Sequence, residues 1–78
     1  MTTINIPEYL YKNVRNPVTF VIERSTPEAK AMCEAWDVNY SQGESNLLLC
    51  ATDKDNFKLF EKRCKIRKIS IKIVYLTK

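Results

Sequence analysis

Basic side chains are concentrated in the last third of the chain, and they are its strongest chemical signal. Residues 62–68 read Lys-Arg-Cys-Lys-Ile-Arg-Lys. Lysine and arginine grouped on a helix and an adjoining strand bind a nucleic-acid backbone, because they release its counterions. The alternative is a solvated helix face that only keeps a domain soluble. The predicted basic patch consists of Lys58, Lys62, Arg63, Lys65, Arg67, Lys68 and Lys72.

The net charge of +4 is distributed unevenly along the chain. Residues 1–52 carry four basic and six acidic side chains, a net charge of −2, whereas residues 53–78 carry nine basic and three acidic ones, a net charge of +6. Such asymmetry indicates an anionic partner more than it indicates a particular fold. The predicted partner is therefore either a larger protein with an acidic surface or a nucleic acid.

Tyrosines form the second group of candidate binding residues, as aromatic anchors. These are Tyr9, Tyr11 and Tyr40. Tyrosine is enriched at protein interfaces, but a half-exposed tyrosine whose ring covers the core is ordinary in monomers, and this second case is the more common one. The basic stretch lacks the interleaved exposed aromatics of single-strand binders, and the signature of the four-stranded RNA-binding sheet is absent.

Residues suited to catalysis or metal binding are scarce. The chain has no histidine and one glycine, and it contains no glycine-rich phosphate loop, Cys-x-x-Cys pair or serine nucleophile elbow. Residues 53–56, Asp-Lys-Asp-Asn, open like a calcium loop but lack its turn glycine and closing glutamate. The helix dipole alone explains two carboxylates in a first helical turn. We predict no enzymatic activity, cofactor, metal or small-molecule substrate.

Cysteine usage and hydropathy bear on where the protein resides. Cys33, Cys50 and Cys64 are odd in number, widely spaced and embedded in apolar patterns, which favours reduced core thiols over a disulfide framework. No apolar run approaches the roughly 20 residues that span a bilayer, and the first residues lack a basic region followed by an apolar one. The sequence therefore predicts a cytoplasmic protein without membrane contact.

A central strand, Asn46–Thr52, organises the elements that position these residues. Its apolar run, Leu47–Ala51, fits a strand that is covered on both faces. Before it, alternation over Val18–Glu23 predicts a half-buried strand, and after it Ile69–Leu76 alternates in the same way.

Two helices connect these strands. The first begins with Ser25 or Thr26 as its cap, and its apolar stripe is Ala29, Met32, Cys33 and Trp36. Trp36 is predicted to be the largest core anchor. The second begins with Thr52 or Asp53 as its cap, and its buried stripe is Phe57, Phe60 and Cys64.

Leu59 and Ile66 do not fit the buried stripe of the second helix. They fall on the far side of an ideal helix. Either the helix ends near Lys65, or it presents a second apolar contact there.

The order of elements predicts the fold class, α/β (α+β). We expect a single domain over residues 1–78, a small open β-α-β-α-β two-layer sandwich with a three-stranded sheet and two helices on one face. Two right-handed crossovers would make the strands parallel. Val38–Ser45 reads as a connecting loop in which Gly43 is free to take a positive φ. Thr2–Ile6 forms an extra N-terminal strand, or Pro7 opens a helical turn.

The far side of the predicted sheet carries apolar residues that need a cover. Val21, Val74 and Leu76 point that way, beside leucines of the central strand. An open apolar strip of this kind marks an interface. Either the N-terminal segment or a second molecule covers it, so a homodimer is a further prediction.

The function that these observations favour is a small, non-enzymatic basic binding module. It would act as a regulator or inhibitor that docks on a larger protein or a protein–nucleic-acid complex. The alternative is direct binding to an RNA or DNA backbone through the basic C-terminal third.

Overall fold

Four strands and two α-helices lie along residues 5–74, the part of the chain that the computed structural model describes. In chain order they are β1 (Pro17–Ile22), α1 (Pro27–Ala35), β2 (Asn39–Gln42), β3 (Leu48–Asp53), α2 (Lys54–Ile66) and β4 (Ile71–Ile73). Most of the predicted N-terminal strand, together with the predicted strand residues Tyr75 and Leu76, lies outside the described residues.

The strands form one four-stranded sheet in the order β2-β3-β1-β4. Every neighbouring pair is antiparallel, with Phe20 opposite Cys50, Tyr40 opposite Cys50 and Ile22 opposite Ile71. This β-α-β-β-α-β order is that of the split arrangement known from ferredoxin-like domains. The predicted mixed class, with two helices on one face of an open sheet, is confirmed.

The fourth strand, β2, lies inside the segment 38–45 that was predicted to be a loop. Its sequence, Asn-Tyr-Ser-Gln, lacks apolar alternation because β2 is an edge strand whose residues are exposed or only half-buried. The extra strand between α1 and β3 reverses the direction in which β3 runs. The prediction of parallel strands was therefore wrong, and the reason is this one missed strand.

The turn between β2 and β3 corrects the reason given for Gly43. Its φ is −101°, whereas Ser45 and Asn46 take positive φ values of 55° and 64°. A Cβ at Gly43 would stand 2.9 Å from Cγ of Leu49. Glycine is thus required here by close packing rather than by a left-handed backbone.

Side-chain caps begin both helices and settle the alternatives left open by the sequence. Oγ1 of Thr26 accepts a hydrogen bond from the backbone N–H of Ala29 at 3.1 Å, and Oδ1 of Asp53 accepts one from Asn56 at 2.8 Å. Each satisfies an otherwise unpaired donor in a first turn. The second helix continues to Ile66, beyond Lys65.

The main core lies between the sheet and the two helices, on what we term the helix side. The ring centroid of Phe20 lies 5.0 Å from that of Phe57 and 5.6 Å from that of Phe60. Trp36 only packs against the margin of this core, whose largest fully buried side chains are Phe20 and Phe60. The prediction that Trp36 is the largest core anchor was wrong, because α1 ends at Ala35 and leaves Trp36 at its C-cap.

The N-terminal segment covers the opposite side of the sheet, which we term the far side. A turn of 3-10 helix, Glu8–Leu10, follows Pro7, and Leu10 and Ile6 are buried against Val21 and Leu49. Of the two covers that the sequence allowed, the chain itself supplies this one. Self-association stays a prediction, and the sheet edges are the places left for it.

All three cysteines are buried in the main core, as predicted. The sulfurs of Cys33 and Cys50 lie 4.0 Å apart. This contact and burial raise the pKa of the Cys50 thiol, while burial and the nearby Cys33 raise the pKa of Cys64 to about 11. Both thiols are therefore protonated and unreactive at neutral pH.

Within residues 5–74, no helix combines the length and the apolar character needed to cross a membrane.

Candidate functional site

The outward side of α2 carries an apolar pair that the fold leaves uncovered. Leu59 and Ile66 are 54% and 69% exposed, while the opposite side of the helix buries Phe57, Phe60 and Cys64. Residues seven apart lie on the same side of a helix, two turns from each other. Of the two alternatives for Leu59 and Ile66, the second holds, because the helix continues and presents an apolar surface outward.

Two cations accompany this pair. Lys62 and Arg63 lie between Leu59 and Ile66 along the helix, and both are exposed. We name the four residues Leu59, Lys62, Arg63 and Ile66 the α2 face. One carboxylate, Asp55, lies on the same side at the first turn of the helix. The α2 face thus combines aliphatic area with positive charge.

The predicted basic patch divides over the two flanks of α2. Lys58 lines an apolar groove with Ile73 and Val74, beside the edge strand β4. Helical periodicity places Lys62 and Lys65 toward the same flank as Lys58. Arg63 and Arg67 lie on the flank that faces α1.

Two members of the basic patch lie outside α2. Lys68, with a φ of 58°, forms the turn after the helix and lines a second cleft with Arg24 and Arg67. Lys72 stands opposite Val21 in the ladder, so it projects from the far side of the sheet. The structure therefore groups five of the seven predicted residues along α2, with Lys68 in the turn that follows, and separates Lys72 from them.

Few of these charges are neutralised inside the protein. Within residues 5–74 the one ion pair joins Arg67 to Glu28 at 3.6 Å, and the two side chains are 55% and 57% exposed. Exposed pairs of this kind contribute roughly 0–1 kcal/mol. The remaining cations of the patch have no carboxylate within ion-pair distance in the described range, so they are available to an external anion.

Two of the three candidate tyrosines, Tyr9 and Tyr40, lie at β2, the edge of the sheet opposite β4. The hydroxyl of Tyr9, a residue 63% exposed, donates to Oγ of Ser41 at 2.9 Å. Tyr11 packs against the far-side cluster, and Tyr40 packs against the main core. The hydroxyl of Tyr40 donates to the carboxylate of Glu34, and this bond raises the pKa of Tyr40. Tyr9 alone offers most of its ring to a partner.

A cleft between α1 and α2, which we name the helix cleft, was not predicted from the sequence. Its volume is about 450 Å³, and its lining includes Met32, Trp36, Arg63 and Arg67. Trp36 was assigned to the core because its spacing continues the buried stripe of α1. The signal that could have found the cleft is the length of α1, since a helix that ends before Trp36 cannot bury that ring fully.

A polar cleft at the start of α2 is the place where metal ligands would be sought. Its volume is about 500 Å³, and it contains Asp37, Asp53 and Asp55. Asp53 is committed to capping the helix. In the described part of the chain no three histidine, cysteine, aspartate or glutamate residues are grouped as metal ligands.

No family model, curated protein or solved structure matches this chain.

Proposed function

We propose that the protein is a non-catalytic binding module that docks through the α2 face on an acidic surface of a larger protein and acts there as a regulator or inhibitor. We also propose that the protein resides in the cytoplasm, because its three buried thiols are reduced.

The exposed apolar pair of the α2 face is the observation that carries this proposal. Leu59 and Ile66 are both more than half exposed on one side of one helix. Aliphatic side chains contribute nothing to backbone phosphate contacts, but they form the desolvated centre of a protein interface. Their exposure therefore favours a protein partner over a nucleic acid.

The unneutralised cations supply the second part of the argument. Lys58, Lys62 and Lys65 raise the positive potential along one flank of α2. Such charges speed encounter with an acidic surface and exclude basic competitors, while the apolar centre supplies most of the affinity.

A nucleic-acid backbone is the second candidate, and the row of three lysines favours it. Residues 58, 62 and 65 follow one another at the spacing of helical turns. A row of lysines at this spacing can follow a chain of phosphates. In that case Leu59 and Ile66 would make no contribution to binding.

Two variants separate the candidates in pull-down experiments from host extract, with the retained partner identified by mass spectrometry. The first variant reverses Lys58, Lys62 and Lys65 to glutamate, and it should weaken binding in either case. The second changes Leu59 and Ile66 to serine. For a protein partner it should lower affinity about tenfold or more, because truncated hot-spot residues cost roughly 1–2 kcal/mol or more.

A matched control reverses Lys12, Arg15 and Arg24, three exposed cations outside α2, and so changes the net charge equally. This control should retain binding. If the control loses as much binding as the α2 reversal, the loss depends on net charge alone, and the proposed site is wrong. The nucleic-acid alternative would be established if the protein binds RNA, if added salt abolishes this binding, and if the serine variant binds RNA as well as the unchanged protein does.

A further inference from the structure

The helix cleft adjoins the α2 face and shares a residue with it. Arg63 lines the cleft, and it also lies one turn from both Leu59 and Ile66. A partner seated on the α2 face therefore meets the cleft directly.

One part of the cleft, formed by α1, suits an apolar side chain, while its α2 wall is charged. Met32 and Trp36 are half-buried at the margin of the core, and the exposed small residues Ala31 and Ala35 leave room above them. A volume of about 450 Å³ lies within the range of ligand pockets, roughly 300–1,000 Å³. Tryptophan, methionine and arginine are the residue types enriched where an interface is anchored.

The charges around the cleft specify the sign of the partner. Two guanidinium groups, those of Arg63 and Arg67, face one carboxylate, that of Glu28. Glu28 occupies Arg67 at 3.6 Å, which leaves Arg63 without an ion-pair partner in the described part of the chain. An incoming carboxylate can pair with Arg63 and compete with Glu28 for Arg67.

We infer that the helix cleft is the anchor pocket of the interface, and that it receives one large aliphatic or aromatic side chain from an acidic segment of the partner protein. This inference rests on the proposed docking through the α2 face. Glu28 acts as an internal competitor that weakens the interaction.

The chain provides its own reporter, because its single tryptophan lines the cleft. The probe is a synthetic amphipathic helical peptide with leucine on one side and glutamate on the other. It should shift the emission of Trp36 in a saturable manner. Two matched peptides, one with serine for leucine and one with lysine for glutamate, should bind at least tenfold more weakly. Equal binding of either matched peptide would overturn the inference.

Filling the cleft tests the position of the anchor. Ala35→Leu and Ala31→Leu place a larger side chain at exposed positions of α1, where leucine is a good helix former. Either variant that keeps its circular dichroism spectrum should lower peptide affinity about tenfold. Undiminished binding in both folded variants would overturn the anchor pocket.

Removing the internal competitor should strengthen binding. Glu28→Gln frees Arg67, and affinity for the acidic peptide should rise about two- to fivefold, as expected for the loss of one exposed ion pair. Glu34→Gln is the matched control on α1, because Glu34 bonds to Tyr40 and does not line the cleft. An equal gain in the control, or no gain in Glu28→Gln, would contradict the role of Glu28.

The serine variant of Leu59 and Ile66 separates failure of this inference from failure of the proposed function. If it weakens peptide binding while the cleft-filling variants do not, the α2 face remains the docking site and the anchor pocket is wrong. If neither kind of variant weakens binding, both proposals fall. RNA that shifts Trp36 emission and is blocked by Ala35→Leu would also overturn the inference.

Discussion

Of two apolar surfaces in this protein, one is covered by the chain itself and the other is exposed. On the far side of the sheet, Val21 and Leu49 are 1% and 9% exposed, because Ile6 and Leu10 lie over them. On the outside of α2, Leu59 and Ile66 are 54% and 69% exposed. No segment of residues 5–74 covers this second pair.

An apolar residue on the outer side of a strand or helix belongs to the core when a distant segment of the chain covers it. Without such a cover it is available to a partner. The residues that close the far side, Ile6 and Leu10, lie eleven and seven positions before the start of β1. The side chain of Asn39 holds that segment by donating to the carbonyl of Leu10 at 2.7 Å. The outside of α2 has no such cover. Substitutions on the far side should therefore change stability, and substitutions on the α2 face should change binding.

The largest loss of stability is expected for the core on the helix side of the sheet. The losses at the two apolar surfaces are compared with it. Phe60 is fully buried and its ring contacts that of Phe20. Phe60→Ala should lower the free energy of unfolding by about 3–5 kcal/mol, because the cavity adds to the lost burial. Urea denaturation measures this loss. A loss under about 1 kcal/mol would mean that the core is not packed as described.

The next effect sharpens the comparison on the far side. Leu10→Ala should lower the free energy of unfolding by about 2–5 kcal/mol if the N-terminal segment is part of the core. Its neighbour Tyr9 is mostly exposed and is the matched control, so Tyr9→Ala should cost less than about 1 kcal/mol. If both variants lose equally little free energy of unfolding, the N-terminal segment does not cover the far side.

Trp36 should give an intermediate effect, because it belongs partly to the core and partly to the helix cleft. Trp36→Ala should lower the free energy of unfolding by about 1–3 kcal/mol, the usual span for single substitutions. This is less than a fully packed tryptophan would cost. A loss at the level of Phe60→Ala would return Trp36 to the core and remove it from the cleft.

The buried thiols predict how stability depends on pH. The folded protein raises the pKa of Cys64 from 9.0 to about 11, so the unfolded chain loses this proton first as pH rises. Stability from this group is complete below about pH 9 and declines between about pH 9 and 11. Urea midpoints across that range should fall, and less steeply in Cys64→Ala. A midpoint that rises with pH would contradict the burial of the thiols.

The sequence predicted the parts of the fold that carry strong periodicity. Alternation identified β1 and β4, and the apolar run identified β3. Most residues of β1 and β3 are buried, whereas in β4 Ile71 is half-buried and Ile73 is exposed. The sequence did not predict β2, whose polar residues give no period on an edge of the sheet. That omission also gave the wrong strand directions, which depend on how many strands separate the helices.

The candidate site was predictable in composition but not in arrangement. Charge counting identified the cations of α2, and helical spacing set Leu59 and Ile66 apart from the buried stripe. Sequence spacing could not show that Lys72 projects from the far side, because this depends on its ladder partner Val21. The helix cleft forms only where α1 and α2 meet, and the one local signal that could have indicated it is the end of α1 before Trp36.

The smallest effect on stability is expected at the α2 face. Leu59→Ser and Ile66→Ser should each change the free energy of unfolding by no more than about 0.5 kcal/mol, because both side chains are already exposed. A loss near that of Leu10→Ala would show that the α2 face is part of the fold rather than an interface.

The most direct test of the central claim is a map of backbone amide chemical shifts as the partner recovered from host extract is added to labelled protein. We predict that the shifts change along residues 58–67 of α2 and at Trp36, while residues 6–10 of the N-terminal cover stay unchanged. Changes confined to the N-terminal cover and the far side, with α2 unaffected, would contradict the account.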